Sequence, residues 1–235
     1  MDWPRTRAEL VLAQASVRDR APDRWTPPER HLAIGACFVC FQKRRQGRGR
    51  AGEPAWAGAV VWQGGHHTQI AVVPGVAGAP YDPGLLALRE GPLLGSALER
   101  LSTMPPLVLV NATGRDHPRR AGLALHLGSM FDVPTIGVTH RPLLAHGEWP
   151  GEGRGEATPL VLDDEVVGYW LRTRTGRRPI AVHAAWRTDP ETALSITQTM
   201  VVRARTPEPL RHARRIARLA RAGLLDPSGS GERTD

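Results

Sequence analysis

Runs and spacings of apolar residues divide the chain into predicted strands and helices. A nearly continuous apolar run covers 31–41, which is typical of a central strand. Two further runs, 55–63 and 68–74, are separated by Gly64-Gly65-His66-His67, so the three segments favour an antiparallel meander. Later strands are predicted at 106–110, 134–138, 158–163, 166–172 and 179–184.

Helical spacing fills the intervals between these strands. In 85–101 the inward stripe is Leu93, Leu94, Ala97, Leu98 and Leu101. Pro92 is expected at the first position of the main run of this helix. Further helices are predicted at 5–20, 117–131, 189–204 and 207–223. The succession of strand 106–110, a helix and strand 134–138 indicates a parallel βαβ unit, so the fold class is α/β with a mixed sheet.

The 235 residues are read as one globular domain over 31–223, because 41% of them are apolar and no linker interrupts the middle. A helix and a Pro- and Arg-rich lead-in are expected over 1–30, and a disordered tail over 224–235. The sequence contains neither a membrane-length apolar run nor a secretory signal, so a cytoplasmic monomer without a membrane partner is expected.

The two cysteines, Cys37 and Cys40, lie three residues apart on the first predicted strand. Positions i and i+3 face opposite sides of a sheet, so a disulfide between them is disfavoured and buried reduced thiols are expected. A redox pair or half of a zinc site remains the alternative.

The formal net charge of +8 and the pI of about 10.9 favour a polyanionic partner, DNA or RNA. The abundance of Arg, Ala, Gly and Pro is also what a GC-rich coding sequence produces. Two basic segments are therefore either solvated or in contact with nucleic acid. They are the loop with Lys43, Arg44, Arg45, Arg48 and Arg50, and the last helix with Arg211, Arg214, Arg215, Arg218 and Arg221.

Four sequence blocks lie in a characteristic order and spacing: 80–86 (PYDPGLL), 88–92 (LREGP), 117–124 (HPRRAGLA) and 133–138 (VPTIGV). They resemble endonuclease V, the family that cuts nucleic acid one phosphodiester beyond deoxyinosine or inosine. The similarity covers about residues 30–220. It implies a ribonuclease H-like fold, in which an antiparallel meander and parallel strands form one sheet flanked by helices.

In that family a Pro-Tyr-x-Pro loop acts as a wedge that opens the base stack. Tyr81 matches the aromatic position, although a tyrosine here can instead pack on the neighbouring helix. Gly84 would let a flipped base approach the backbone. The resemblance gives nucleic-acid contacts to His117, Arg119, Arg120 and Arg141, and the alternative for the adjacent arginines is pairing with local carboxylates.

The resemblance also implies catalysis by Mg²⁺ held by carboxylates, and here the sequence departs from the family pattern. Glu90 is the one acid of the pattern that remains. Cys37 occupies the position of an aspartate in the first strand, and Asn111 that of an aspartate ending the central strand. His140 stands near an expected lysine, and Trp186 near an expected late histidine.

A thiol is a poor Mg²⁺ ligand and an amide is neutral, so we expect an endonuclease V-like nucleic-acid-binding protein with impaired or absent catalysis. It would recognise deoxyinosine, inosine or distorted sites. One alternative is an active endonuclease that cleaves the second phosphodiester 3′ to deoxyinosine with an altered metal site. That site would hold Zn²⁺ or Mn²⁺ between Glu90, Cys37 and some of Asp82, Asp116, His117, His140 and His183. Another alternative is a scaffold or regulatory protein that reuses the cleft.

Overall fold

An eight-stranded mixed sheet runs through the centre of the computed structural model, which describes residues 2–20, 22–28, 32–42 and 47–226. The strands are β1 (Ile34–Phe41), β2 (Pro54–Gln63), β3 (His66–Val76), β4 (Val108–Val110), β5 (Thr135–Thr139), β6 (Ala157–Leu162), β7 (Glu165–Leu171) and β8 (Ile180–Ala184). Their order across the sheet is β3-β2-β1-β4-β5-β8-β7-β6.

The central strands β1, β4 and β5 are parallel, and the pairs outside them are antiparallel. Cys37 pairs with Val110, the last residue of β4, and Val110 pairs with Gly137. Strand β1 therefore continues to Phe41, beyond the level at which β4 ends. This confirms the predicted meander, the parallel unit and the ribonuclease H-like α/β fold.

Five helices cover the two faces of the sheet: α1 (Arg7–Arg18), α2 (Leu86–Glu99), α3 (Leu123–Phe131), α4 (Pro190–Thr199) and α5 (Glu208–Arg221). The first three share one hydrophobic core with Cys37, Val108 and Val110. Helices α4 and α5 cover the other face, against residues such as Ile34 and Leu109. Because successive strand residues point to opposite faces, the buried strands supply both cores.

Pro92 lies inside α2 instead of at its first helical position, so that prediction was wrong. A proline has no N–H to donate to the carbonyl four residues earlier, here that of Leu88. The loop before the helix approaches this interrupted turn, and the Gly78 N–H donates to the Arg89 carbonyl at 3.1 Å. A side chain at Gly78 would collide with the Leu88 carbonyl, so the close approach requires glycine.

The helices all lie within their predicted ranges, and two of them are shorter than predicted by at least five residues at one end. Helix α3 begins at Leu123 instead of residue 117, because the N–H groups of Arg119 and Ala121 donate to the His117 ring instead of entering a helix. Helix α4 ends at Thr199 instead of residue 204. The chain then turns into α5, where the Glu208 N–H donates to the Met200 carbonyl.

Cys37 and Cys40 are both buried free thiols on opposite faces of β1, as predicted. Parts of four predicted segments lie outside the described residues. They are 1, 21, 29 and 30 of the lead-in, 31 of the first strand, Lys43, Arg44 and Arg45 of the basic loop, and 227–235 of the tail. Within the described ranges, none of the helices has the length and apolar character needed to span a bilayer.

Candidate nucleic-acid cleft

A cleft of about 510 Å³ opens where β4 and β5 end, between the loop that precedes α2 and the segment after β5. Ligand sites of α/β proteins commonly lie beyond the carboxyl ends of the strands. Residues from separate predicted motifs meet here, among them Tyr81, Gly84, Glu90, Asn111, His117, His140 and Arg141. The sequence blocks at 80–92 and 117–124 are therefore brought to one place.

The floor of the cleft contains the remaining acid of the family pattern. Burial raises the pKa of Glu90 from its ordinary 4.5 to about 7, although the charge of Arg89 opposes the shift. Cys37 lies fully buried close by, and burial together with the Glu90 charge raises the pKa of its thiol far above the ordinary range. The floor therefore presents the amide of Asn111 and one carboxyl group that is half protonated near neutral pH, and a neutral thiol lies buried beside that carboxyl group.

These residues do not fit a magnesium site. Mg²⁺ takes hard oxygen ligands, usually including carboxylates whose charge offsets that of the ion, whereas a protonated thiol is not a ligand for it. Within the described ranges, no three His, Cys, Asp or Glu side chains come together in an arrangement that could hold a metal ion. The predicted rebuilt set is thus dispersed: Asp82, for example, is half exposed and faces Arg7 at 4.0 Å.

The wedge loop, defined here as residues 80–84, is fixed by converging hydrogen bonds. The Gly84 carbonyl accepts from His117 Nε2 at 3.0 Å, from Arg119 Nη2 at 2.8 Å and from Gln14 Nε2 at 3.2 Å. His117 Nδ1 accepts two backbone N–H groups, so the ring proton resides on Nε2. Burial lowers the pKa of His117 to about 4, which keeps the ring neutral.

Tyr81 projects from this fixed loop with 45% of its surface exposed. Its N–H donates to the Arg48 carbonyl at 2.8 Å, and Gly84 adopts a φ of +80°, in the left-handed region that favours glycine. The aromatic ring is thus held at the mouth of the cleft by its backbone and remains available to another molecule.

The four residues predicted to contact nucleic acid occupy different positions. His117 and Arg119 hold the wedge loop, and Arg141 is exposed at the cleft wall. Arg120 turns away and pairs with Asp163 and Glu165, at 3.1 and 3.4 Å. For Arg120 the structure favours the alternative of local ion pairing, and nucleic-acid contact is not supported by its position.

Asp116 supports the wall of the cleft. Its two carboxylate oxygens accept the N–H groups of Leu143, Leu144 and Ala145 at 2.6–2.8 Å. His183 is buried beside it, and burial lowers the pKa of this histidine to about 4. Both residues were candidates for a rebuilt metal site, and both instead lie inside the wall.

The alignment of Trp186 with the late histidine of the family does not place this residue at the cleft. Its N–H group donates to Thr135 Oγ1 at the start of β5, whereas Thr139 at the other end of that strand lines the cleft. Four residues of strand separate these ends by about 13 Å. Trp186 is buried against α3, and its Nε1 donates to Asp132 at 3.0 Å, so it neither closes the cleft nor reaches a base.

Two further groups at the site were missed from the sequence. Gln14 belongs to α1, yet it reaches the wedge loop and also accepts from Arg119 Nε at 2.6 Å. Arg89 is buried beneath the loop, where it forms an ion pair with Glu53 and stacks over Phe41 at 4.0 Å. For Arg89, its position between apolar residues of a helix was the one sequence signal that indicated burial. For Gln14, nothing in the sequence indicated a contact with the wedge loop.

A model of the endonuclease V family matches residues 28–215. The endonuclease V of Nocardia farcinica is 47% identical over 154 residues, which cover 65% of this chain and 67% of the relative. That of Methanopyrus kandleri is 46% identical over 147 residues, 63% of each chain. The chain thus spans about two thirds of these two relatives.

Solved structures give a longer match. The crystal structure of endonuclease V from Streptomyces avermitilis superposes with a TM-score of 0.83 and 34% identity, covering 94% of this chain and 95% of that one. The Ciona intestinalis protein, in complex with a 24mer DNA containing an inosine, superposes with a TM-score of 0.76 at 22% identity, covering 93% and 98%; this likeness concerns the fold.

Proposed function

The chain belongs to the endonuclease V family, and from that premise we propose that it binds nucleic acid at the cleft without the metal-dependent hydrolysis of the family. The wedge loop would open the stack at a deoxyinosine, inosine or distorted site. The floor would accommodate the neighbouring backbone without cutting it.

The observation that carries this proposal is the low negative charge at the floor of the cleft. One carboxyl group, Glu90, stands beside a neutral thiol and an amide. A divalent ion there would gain at most one carboxylate to offset its charge. A phosphate, in contrast, meets little negative charge when Glu90 is protonated, so the floor suits a bound anion better than a bound cation.

Binding is supported by the parts of the cleft that remain organised. Tyr81 is held at the mouth by backbone contacts, and His140 and Arg141 contribute donors on the opposite wall. Stacking of a base on an aromatic ring contributes about 1–3 kcal/mol in single-strand binding proteins. The DNA-bound Ciona protein shares this fold, which is consistent with a nucleic-acid ligand for this chain.

One assay with two readouts tests the proposal. Labelled strands that contain one deoxyinosine, and matched undamaged strands, are incubated with the protein in EDTA and then with Mg²⁺, Mn²⁺ or Zn²⁺. We expect retention of the strand in a mobility-shift gel, a preference for deoxyinosine that is weakened in Tyr81→Ala, and intact strands with every metal.

Cleavage near the deoxyinosine that disappears in Glu90→Ala would overturn the proposal in favour of an active nuclease with an altered metal site. Absence of both binding and cleavage would favour a scaffold role. Because contaminating nucleases cut without regard to Glu90, the Glu90→Ala protein purified in parallel is the control for any cleavage.

A further inference from the structure

A second groove, of about 1130 Å³, lies along α5 on the side of the sheet opposite α2 and α3. We call it the arginine groove. Its charged lining consists of Arg211, Arg214, Arg215, Arg218 and Arg221, beside the half-buried ring of Trp56. No acidic side chain among the described residues lines it. Such a groove is electrostatically suited to an anionic polymer.

The guanidinium groups differ in how far the protein itself satisfies them. Arg211 pairs with Glu208, and Arg221 donates to the Phe41 carbonyl. Arg215 and Arg218 are exposed and form no ion pair with any residue in the described ranges. These two charges are therefore available to an external ligand.

Arg214 lies at the inner edge of the groove and is half-buried. Its guanidinium is 5.0 Å from the centre of the Phe38 ring, and its Nε is buried without a hydrogen-bond acceptor within the described structure. A buried donor without an acceptor is energetically unfavourable. An anion that reaches this position would remove the deficit.

The arginine groove and the cleft lie at the same end of the sheet. Cys37 is level with the end of β4, and the residues of β1 beyond it pack against the second half of α5, where Cys40 Sγ donates to the Ala217 carbonyl. His140 of the cleft wall lies near enough to Arg205 and Arg214 that their charges add to the effect of burial in lowering its pKa. Arg214 and His140 thus connect the two sites.

We propose that the arginine groove binds the phosphate backbone of a single-stranded nucleic acid that continues out of the cleft past His140 and Arg214. The inference rests on the proposed function, because the cleft supplies the strand. Arginines three and four positions apart form one row on a helix, so they can follow one backbone. Trp56 offers a ring for stacking, as in sequence-tolerant single-strand binders.

Fluorescence anisotropy with labelled single strands of 6 and 24 nucleotides tests the groove. The variant Arg215→Gln/Arg218→Gln removes two charges that the fold does not use. The control Arg18→Gln/Arg24→Gln removes two exposed charges on the surface around α1 and the segment after it. Circular dichroism and thermal unfolding of both variants establish that the fold is retained.

We expect the groove variant to bind the 24-nucleotide strand about tenfold more weakly than the wild type at 0.1 M salt. For a single strand, each phosphate that an arginine neutralises steepens the dependence of log K on log salt by about 0.7, so without two arginines the slope should fall by about 1.4. Binding of the 6-nucleotide strand should change no more than in the control.

Equal losses in the groove variant and the control would overturn the proposal, because they would reflect net charge alone. So would poly-glutamate competing as strongly per charge as the 24-nucleotide strand, which would assign the groove to acidic polypeptides. Tyr81→Ala distinguishes a failure of this inference from a failure of the proposed function. The preference for deoxyinosine depends on the cleft, whereas the slope of binding against salt depends on the arginine groove.

Discussion

The wedge loop and the floor lie on the same cleft, yet they are held together in different ways. The Gly84 carbonyl of the wedge loop accepts three hydrogen bonds from α1 and from the 117–119 turn. Among the described residues no comparable set of hydrogen bonds holds the floor, which combines a buried thiol, an amide and a carboxyl group with a raised pKa. Substitution at the floor therefore leaves the contacts of the loop intact.

This difference separates recognition from chemistry in physical terms. An aromatic wedge needs a fixed backbone and an exposed ring, and both are supplied by residues that do not belong to the floor. Metal-dependent hydrolysis needs several oxygen ligands at one point, so our proposal expects it to be lost where two of them are replaced. The following experiments, ordered by expected effect, test whether the two regions are as independent as this comparison implies.

The largest effect should come from returning acids to the floor in Cys37→Asp/Asn111→Asp. In EDTA we expect the free energy of unfolding to fall by on the order of 3–5 kcal/mol, because three carboxylates would share a buried site. Mg²⁺ or Mn²⁺ should restore part of this loss, since carboxylate oxygens match these ions. Thermal unfolding with and without metal measures both effects.

Cys37→Asn is the control for that experiment, since it introduces the same shape without a charge. It should show no metal-dependent shift, and neither should the wild type. A wild-type shift as large as that of the double variant would mean that the existing floor already binds the ion.

His117→Ala tests the wedge loop itself. The variant removes one donor to the Gly84 carbonyl and leaves the buried N–H groups of Arg119 and Ala121 without their acceptor. We expect chemical denaturation to show a loss of about 2–3 kcal/mol. His66→Ala, at an exposed turn, should cost little; equal losses would show that His117 does not organise the loop.

Tyr81→Ala should weaken binding of a deoxyinosine strand about tenfold and leave stability unchanged, because the ring is half exposed and stacks on the ligand in our proposal. Fluorescence anisotropy and a melting curve give the two values. Trp149→Ala removes another exposed aromatic ring, one outside the cleft, and should not alter binding. A lower melting temperature in Tyr81→Ala would indicate that the ring packs on the protein.

Comparing the stability of Glu90→Gln with that of the wild type at different pH values should show how the charge of Glu90 affects folding. The pKa of Glu90 is raised to about 7 in the folded chain, so the folded state retains the proton more tightly than the unfolded state does. The stabilising contribution of the protonated group is complete below about pH 4.5 and is lost as the pH rises to 7.

The variant should therefore be more stable than the wild type at pH 8, by on the order of 3 kcal/mol, and about equally stable at pH 4.5. Denaturation series at both pH values give the difference. Glu99→Gln, on the exposed end of the same helix, should show no pH-dependent difference. If the difference in unfolding free energy between Glu90→Gln and the wild type were the same at both pH values, the carboxyl group would be better solvated than the structure indicates.

The fold was largely predictable from the sequence, because strands such as those predicted at 31–41 and 179–184 are marked by runs of apolar residues that are local in the chain. The structure contains a strand in each of these ranges. The helix predicted from His117 failed for a non-local reason. Its first turn is occupied by ring-to-backbone bonds and by the wedge loop more than thirty residues earlier in the chain. Pro92 was misplaced because a loop residue, Gly78, supports the interrupted turn.

The candidate site was predictable only where a motif marked it. Tyr81, Glu90 and Asn111 lie in the cleft because they belong to sequence blocks or to the end of a strand. Trp186 was misplaced because β8 runs antiparallel to β5, so the residues that follow β8 lie beside the start of β5, at the end of the sheet opposite the cleft. Gln14 and Arg214 lie on helices. The spacing of apolar residues in a helix predicts which face is buried, but it does not predict which distant loop or site a polar residue of that helix will contact.

The main-chain bond between Gly78 and Arg89 has a consequence for how this chain tolerates change. It fastens the loop that carries Tyr81 to the helix that carries Glu90 through backbone atoms, and it requires glycine at position 78 but no particular side chain at the floor. Mutations at the floor can therefore accumulate without disturbing the spacing between wedge and floor. The spacing between Tyr81 and Glu90 is thus set independently of the side chains at the floor, and substitutions there could change the chemistry of the cleft one residue at a time.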